Sequence, residues 1–250
     1  MEFYIYYFKF KIIKPIIQIF SFFFKDLKKF NNNDFIYYVD ETVDSLSKLL
    51  MKFDLHESRE RKLSNDLISN MDTIEAGGGI GLMSLYIKRK IRNSKLIILE
   101  PNAEFHPLIK KNFTANNYYL ENITILNFAL SSNNLKKITF IEQQNPFASK
   151  VFSNQDVLNY SVKRTEREIE TISINRIIEK YSLEEFQLVM DIEGEEYNVL
   201  LNDNSWLNKC QCILYECHYK KRDLTRINDF LIKSGFKLTR KTENVFLFKR

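Results

Sequence analysis

The sequence predicts an α/β domain: a mostly parallel sheet with helices on both faces, closed by a C-terminal antiparallel hairpin. Three observations predict it. From Met71 onward, short apolar runs alternate with segments of helical spacing. A glycine turn, Gly77-Gly78-Gly79-Ile80-Gly81, joins the first run to the first helical segment. Acidic residues then close three later runs, at Glu100, Asp191 and Glu216. Parallel sheets bind their ligands beyond the carboxyl ends of such strands.

The elements follow in order. Thr42 to Lys52 is helical, with Val43, Leu46, Leu49 and Leu50 on one side, and Glu57 to Ile68 is a charged helix with Leu63, Leu67 and Ile68 inward. Strands are predicted at Asp72–Ala76, Lys95–Leu99, Ile123–Phe128, Lys136–Glu142, Glu168–Thr171, Phe186–Met190 and Cys210–Tyr215. Helices are predicted at Ile80–Ile91, Glu104–Asn116, Ser173–Lys180, Glu195–Leu201 and Leu224–Ser234, and a hairpin spans Phe236–Lys249. Gln143 to Arg167 has no clear period and is long for a loop, so it is a lid or substrate-loop candidate.

The start of the chain reads differently. Residues 1–54 form a helical, aromatic extension ahead of a domain at 55–250, and Asn31-Asn32-Asn33-Asp34 is a polar break that sets the N-terminal stretch apart from the rest. Met1 to Phe24 is apolar, but Lys9, Lys11, Lys14 and Pro15 interrupt it. Its longest uncharged run is about half of what a spanning helix needs, and the segment lacks the layout of a secretory signal. It either packs on the domain or lies as an interfacial helix, giving residues 1–30 a peripheral membrane contact.

The bulk numbers are those of a globular protein. Over 250 residues, 44% are hydrophobic and 28% charged. The formal charge of +5 is dispersed and not gathered into a block, which argues against a nucleic-acid partner. Cys210, Cys212 and Cys217 read as reduced thiols, two of them on a buried strand, in a cytoplasmic setting. A metal knuckle is the alternative. The sequence carries no signal of oligomeric state.

Four segments carry chemistry. In Glu75-Ala76-Gly77-Gly78-Gly79-Ile80-Gly81 the glycines fall at alternate positions, Gly77, Gly79 and Gly81, and not in the G-x-G-x-x-G of dinucleotide enzymes. The Glu75 carboxylate would repel a pyrophosphate but attract an amino acid's ammonium, which favours S-adenosylmethionine over a nicotinamide cofactor. Glu100 ends the next strand, 25 residues after Glu75, where a carboxylate can accept both ribose hydroxyls. Asp191-Ile192-Glu193-Gly194-Glu195-Glu196 follows a buried strand. Glu195 and Glu196 suit a solvated first helical turn, whereas Asp191 stands where a general base or hard metal ligand would. Glu216-Cys217-His218 closes the neighbouring strand and adds His218 as a second proton acceptor.

Together these segments resemble the FkbM family of methyltransferases. The glycine turn is similar to that family's D-x-G-A-N-x-G, with Glu75 for Asp and Gly78-Gly79 for Ala-Asn. Glu100-Pro101-Asn102 resembles its E-P-N/D element, Asn127-Phe128-Ala129-Leu130 its N-x-A-L, Asp191 to Glu196 its D-x-E-G-x-E, and Glu216-Cys217-His218 its E-x-H. Glu57, eighteen residues before Glu75, falls where many members carry a Glu.

The resemblance covers Leu55 to Lys249. It implies a Rossmann-like class I methyltransferase fold and S-adenosylmethionine-dependent O-methylation of a sugar, glycan, glycolipid or secondary-metabolite hydroxyl. The implied cofactor residues are Glu57, Glu75, Gly77, Gly79, Gly81, Glu100, Pro101, Asn102, Asn127 and Ala129. The catalytic ones are Asp191, His218 and Glu193. No metal is required in this reading; a secondary variant has Asp191, Glu193 and Glu216 hold Mg²⁺. The rivals are a nicotinamide-dependent oxidoreductase and a non-catalytic domain that binds adenosyl ligands.

Overall fold

The computed structural model describes residues 21–132, 137–142, 150–151, 165–202, 204–218 and 221–250. Its core is a seven-stranded sheet. Strand β3 (Thr73–Ala76) lies between β10 (Phe186–Met190) and β4 (Leu96–Leu99), with β5 (Ile123–Leu126) outside β4 and β11 (Cys210–Glu216) outside β10. These five strands are parallel. The C-terminal hairpin, β12 (Lys237–Thr242) and β13 (Val245–Lys249), joins antiparallel along β11. The mostly parallel Rossmann-like sheet and its closing hairpin are those the sequence predicts.

Burial explains why these strands were legible. Every residue of β3, β4 and β10 is buried, as expected for strands covered on both faces. One face packs on α3 (Leu82–Ile91) and α4 (His106–Ala115), through Leu85, Ile87, Ile109 and Phe113. The other packs on α5 (Ile174–Tyr181), α6 (Glu196–Asn202) and α7 (Lys221–Lys233), through Ile177, Leu200, Ile227 and Leu231. Each such buried side chain contributes about 1.5–3 kcal/mol. Cys210 and Cys212 are free and buried in opposite core clusters. Thiols on opposite faces of a strand cannot share a metal, which removes the knuckle.

Residues 21–54 depart from a helical extension. Strands β1 (Lys29–Asn32) and β2 (Phe35–Tyr38) form a hairpin, and Asn33-Asp34, read as a break, is its turn. Helix α1 (Ser45–Lys52) follows, capped by Asp44, which accepts from the backbone N–H of Leu46 and Ser47. Phe30, Phe35, Tyr37, Val43 and Met51 share the core cluster of Leu85 and Phe113, so one core crosses the expected boundary at 54/55. The side chains of Asn112 in α4 and of Asn116, its C-cap, accept from the N–H of Tyr38 and Ile36 and fix the hairpin to the domain.

The predicted helix Glu57–Ile68 shortens to α2 (Ser58–Ser64). A second, four-stranded sheet combines β6 (Ala129–Leu130), β9 (Thr165–Ile172), β7 (Lys137–Glu142) and β8 (Lys150–Val151). Of the predicted lid, residues 150–151 and 165–167 are strand, and the remainder lies outside the described residues, as do residues 1–20 of the apolar N-terminus. No described helix is long and apolar enough to cross a membrane.

Candidate active site

The strand order reverses direction between β3 and β10, and both strands end at one point. The N–H groups of Gly77 and Gly78 donate to Leu99 O at 2.9 and 3.1 Å, and Asp191 N donates to Ala76 O at 3.0 Å, so three strand ends are stitched together. Gly77 has φ +86°, and a Cβ there would stand 1.8 Å from Asp191 O. Its missing side chain is therefore what lets β3 and β10 close on each other. A Cβ at Gly78 would stand 2.3 Å from Ile98 Cγ2. This accounts for Gly at a position where the family signature carries Ala: Ile98 already fills the space. Gly79 and Gly81 also have positive φ, and Gly81 is the N-cap of α3.

Glu100 is buried directly beneath this turn. Its Oε2 accepts from Gly79 N and its Oε1 from Asn102 N, each at 2.7 Å. Burial pushes its carboxyl up to about 7, and the two N–H groups offset part of that. Asn102 is buried too, accepting from Glu104 N and from the Arg167 guanidinium. Asn127 was expected at the edge of the cofactor pocket. Its side chain instead donates to Pro101 O at 2.7 Å and to Glu100 O at 3.3 Å, so it braces the turn from behind.

The Glu100 carboxyl gives a pH prediction. The folded chain keeps this proton up to about pH 7, while an unfolded chain loses it near the ordinary carboxylate value. The folded state therefore binds more protons between those values, and stability falls as pH rises through the window. Glu100→Gln removes this loss. Denaturation at pH 5 and pH 8 should show a smaller fall for the variant than for wild type, by about 3 kcal/mol. Equal falls would mean that Glu100 ionises freely.

Four carboxylates surround His218. Glu196 Oε1 lies 3.0 Å from its Nδ1, while Asp191 Oδ1, Glu193 Oε2 and Glu216 Oε1 lie 3.6, 3.7 and 3.8 Å from its Nε2. Burial pulls the ring's pKa down, but Glu196, Asp191 and Glu193 outweigh it and push it up to about 10. This environment favours the protonated imidazole. Asp191 is raised well above the carboxylate range, by burial and by repulsion from Glu216, with His218 opposing.

Glu196 is a residue the sequence reading missed. It was read as a solvated first-turn acid, yet it is wholly buried. It accepts from Ile192 N and Gly194 N and so shapes the Asp191–Glu196 loop. Its place at the end of the D-x-E-G-x-E run, five residues after Asp191, was the available signal.

A cavity of about 510 Å³ brings both halves together. Gly77, Gly79, Glu100, Pro101, Phe105 and Phe128 to Leu130 line one part; Asp191, Glu193, Glu216 and His218 line another; Leu50, Leu55 and Glu57 also line it. Glu75 does not. It lines a smaller neighbouring cavity that shares Glu57, Glu60, Gly77, Asp191 and Glu216 with the first. Burial pushes the Glu75 carboxyl well above the usual range, against the opposing pull of the neighbouring Ser84 hydroxyl. Beside it, burial and Glu216 push Glu60 up to about 8.

Among curated proteins none matches this chain. Among solved structures, a candidate S-adenosylmethionine-dependent methyltransferase from Streptococcus mutans is similar with a TM-score of 0.53 and 9% identity, covering 89% of this chain and 56% of that one. SMU.776, a candidate methyltransferase complexed with S-adenosylhomocysteine, gives a TM-score of 0.51 and 8% identity over 90% of this chain and 56% of that one. The chain thus spans little more than half the length of either, and the likeness is one of fold. The methyltransferase FkbM domain matches residues 75–238, from Glu75 through His218 and into the closing hairpin. That match takes in the glycine turn, the Glu100 turn and the acidic cluster, and the chain belongs to the FkbM methyltransferase domain family.

Proposed function

We propose that the chain is an S-adenosylmethionine-dependent O-methyltransferase acting on a hydroxyl of a sugar, glycan, glycolipid or secondary metabolite. One observation carries the reading: a single cavity lined by both the glycine turn with Glu100 and the Asp191–His218 cluster. Its volume is that of an ordinary small-molecule site, roughly 300–1,000 Å³.

The residues present fit the methyl donor. S-adenosylmethionine supplies an electrophilic methyl group when bound. Gly77 and Gly79 present bare backbone to the cavity, and Glu100 keeps carboxylate lone pairs for two ribose hydroxyls. Phe105, Phe128, Ala129 and Leu130 offer apolar contact to a base, with Asn102 and Asn127 holding the turn in place. Glu57 puts negative charge on the side suited to an amino-acid ammonium, and the buried Glu75 carboxyl behind Gly77 would gain a counter-charge from that group.

At the acceptor end, carboxylates of Asp191, Glu193 and Glu216 accept hydrogen bonds from hydroxyls, as a polyhydroxylated acceptor requires. Asp191 draws off the hydroxyl proton, Glu193 flanks it, and the His218 cation fixes the carboxylates. Rate comes mainly from holding the oxygen in line, and no covalent enzyme intermediate is needed. Free, buried cysteines support a cytoplasmic, reducing setting, and the exposed Phe22 and Phe23 support a peripheral membrane contact near the N-terminus. The test of the acceptor class is transfer of a labelled methyl group to sugar and glycan hydroxyls in parallel with amines. Label on nitrogen alone would remove the O-methyl reading.

A further inference from the structure

We propose that Asp191, Glu196 and His218 form a binding site for one divalent cation in the wall of the cavity. The proposal rests on the methyltransferase reading of that cavity and adds to it a ligand of a different kind. One ligand atom from each of the three residues lies within 4.8 Å of the other two. Two ligands of a small divalent ion stand at most about 4.4 Å apart, since each bond is about 2.0–2.2 Å. A few tenths of an ångström of side-chain movement therefore closes the set.

A second observation points to a missing cation. Glu196 is wholly buried and its Oε2 has no hydrogen-bond partner among the described residues; the half-buried Asp191 turns its Oδ1 toward the His218 ring without a hydrogen bond. A buried carboxylate oxygen without a partner is costly. One imidazole facing four carboxylates leaves the cluster with an excess of negative charge that a +2 ion would balance.

The scaffold suits the role. Asp191 ends β10, Glu196 opens α6 and His218 follows β11, so three packed elements fix the three ligands. Asp191 and His218 line the cavity while Glu196 stands behind it. An ion there would displace the His218 proton to solvent, be held by the neutral imidazole, and keep open positions toward the cavity, where an acceptor hydroxyl can coordinate and become more acidic. Asp191 is then a ligand, and Glu193 or Glu216 receives the proton. Carboxylates with a single imidazole suit ions such as Mg²⁺ or Mn²⁺. This set replaces Asp191, Glu193 and Glu216, the trio read from sequence.

The test is titration of the EDTA-stripped full chain with Mn²⁺, following free Mn²⁺ by electron paramagnetic resonance. Wild type should bind one ion per chain in the micromolar range. His218→Ala and Asp191→Asn should each weaken that binding at least about tenfold, with unchanged affinity for S-adenosylhomocysteine as the check on folding. Wild type binding Mn²⁺ no tighter than either variant would overturn the proposal. Calorimetry with S-adenosylhomocysteine on the stripped chain separates the two readings. Binding without any Mn²⁺ site removes only the cation, and a Mn²⁺ site without binding removes the methyltransferase reading.

Discussion

Asp191→Asn should lower kcat by about 10²- to 10⁴-fold and leave S-adenosylhomocysteine affinity nearly unchanged. Asp191 sits at the carboxyl end of β10 beside Gly77, and its Oδ1 faces the His218 ring. A hydroxyl acceptor has a very high pKa, so a carboxylate that receives or directs its proton acts mainly in the transition state. Asparagine keeps the shape but loses the charge. Whether Asp191 takes the proton itself or holds an ion that acidifies the hydroxyl, the loss falls on kcat. Steady-state kinetics with a hydroxyl acceptor, alongside calorimetry, checks this. A variant with wild-type kcat would place the chemistry elsewhere in the cavity.

Gly77→Ala should destabilise the fold by roughly 3–5 kcal/mol, combining strain at positive φ with a contact that backbone must relieve. The added Cβ meets the carbonyl of Asp191 and not a flexible side chain, so β3 and β10 have to part. The hydrogen bond from Asp191 N to Ala76 O would be lost first. Chemical denaturation measures the effect. Gly78→Ala provides the comparison, because its Cβ meets the Ile98 side chain, which can rotate. If both variants unfold alike, the strand junction is looser than its geometry indicates.

Much of the sheet was legible because parallel strands buried on both faces read as near-continuous apolar runs. Leu96-Ile97-Ile98-Leu99 is unbroken, and Phe186 to Met190 is interrupted only by Gln187. The glycine turn was legible for a different reason: a chain with six glycines that places four within five residues is using them. The hairpin at 29–38 was missed because Asn33-Asp34 looks like polar punctuation. Both residues have positive φ, the backbone of a two-residue hairpin turn, which Asn and Asp tolerate.

Within the site, the residues at strand ends were found and the brace behind them was not. Asp191 and Glu216 follow directly on apolar runs, with His218 two residues after Glu216, and that position marks them. Glu196 lies in a helical first turn, where acids are ordinarily solvated, and only the packing of α6 against the sheet buries it. Asn127 and Glu75 were placed at the correct end of the sheet, but their orientation follows from loop geometry that spacing does not encode.

Parallel calorimetry with S-adenosylhomocysteine and NAD tests the central claim most directly, because the two ligands separate methyl transfer from hydride transfer at one glycine turn. The account predicts a micromolar dissociation constant for S-adenosylhomocysteine, about −8 kcal/mol, and no measurable heat for NAD. Tighter binding of NAD, or no binding of S-adenosylhomocysteine by the folded chain, would contradict it.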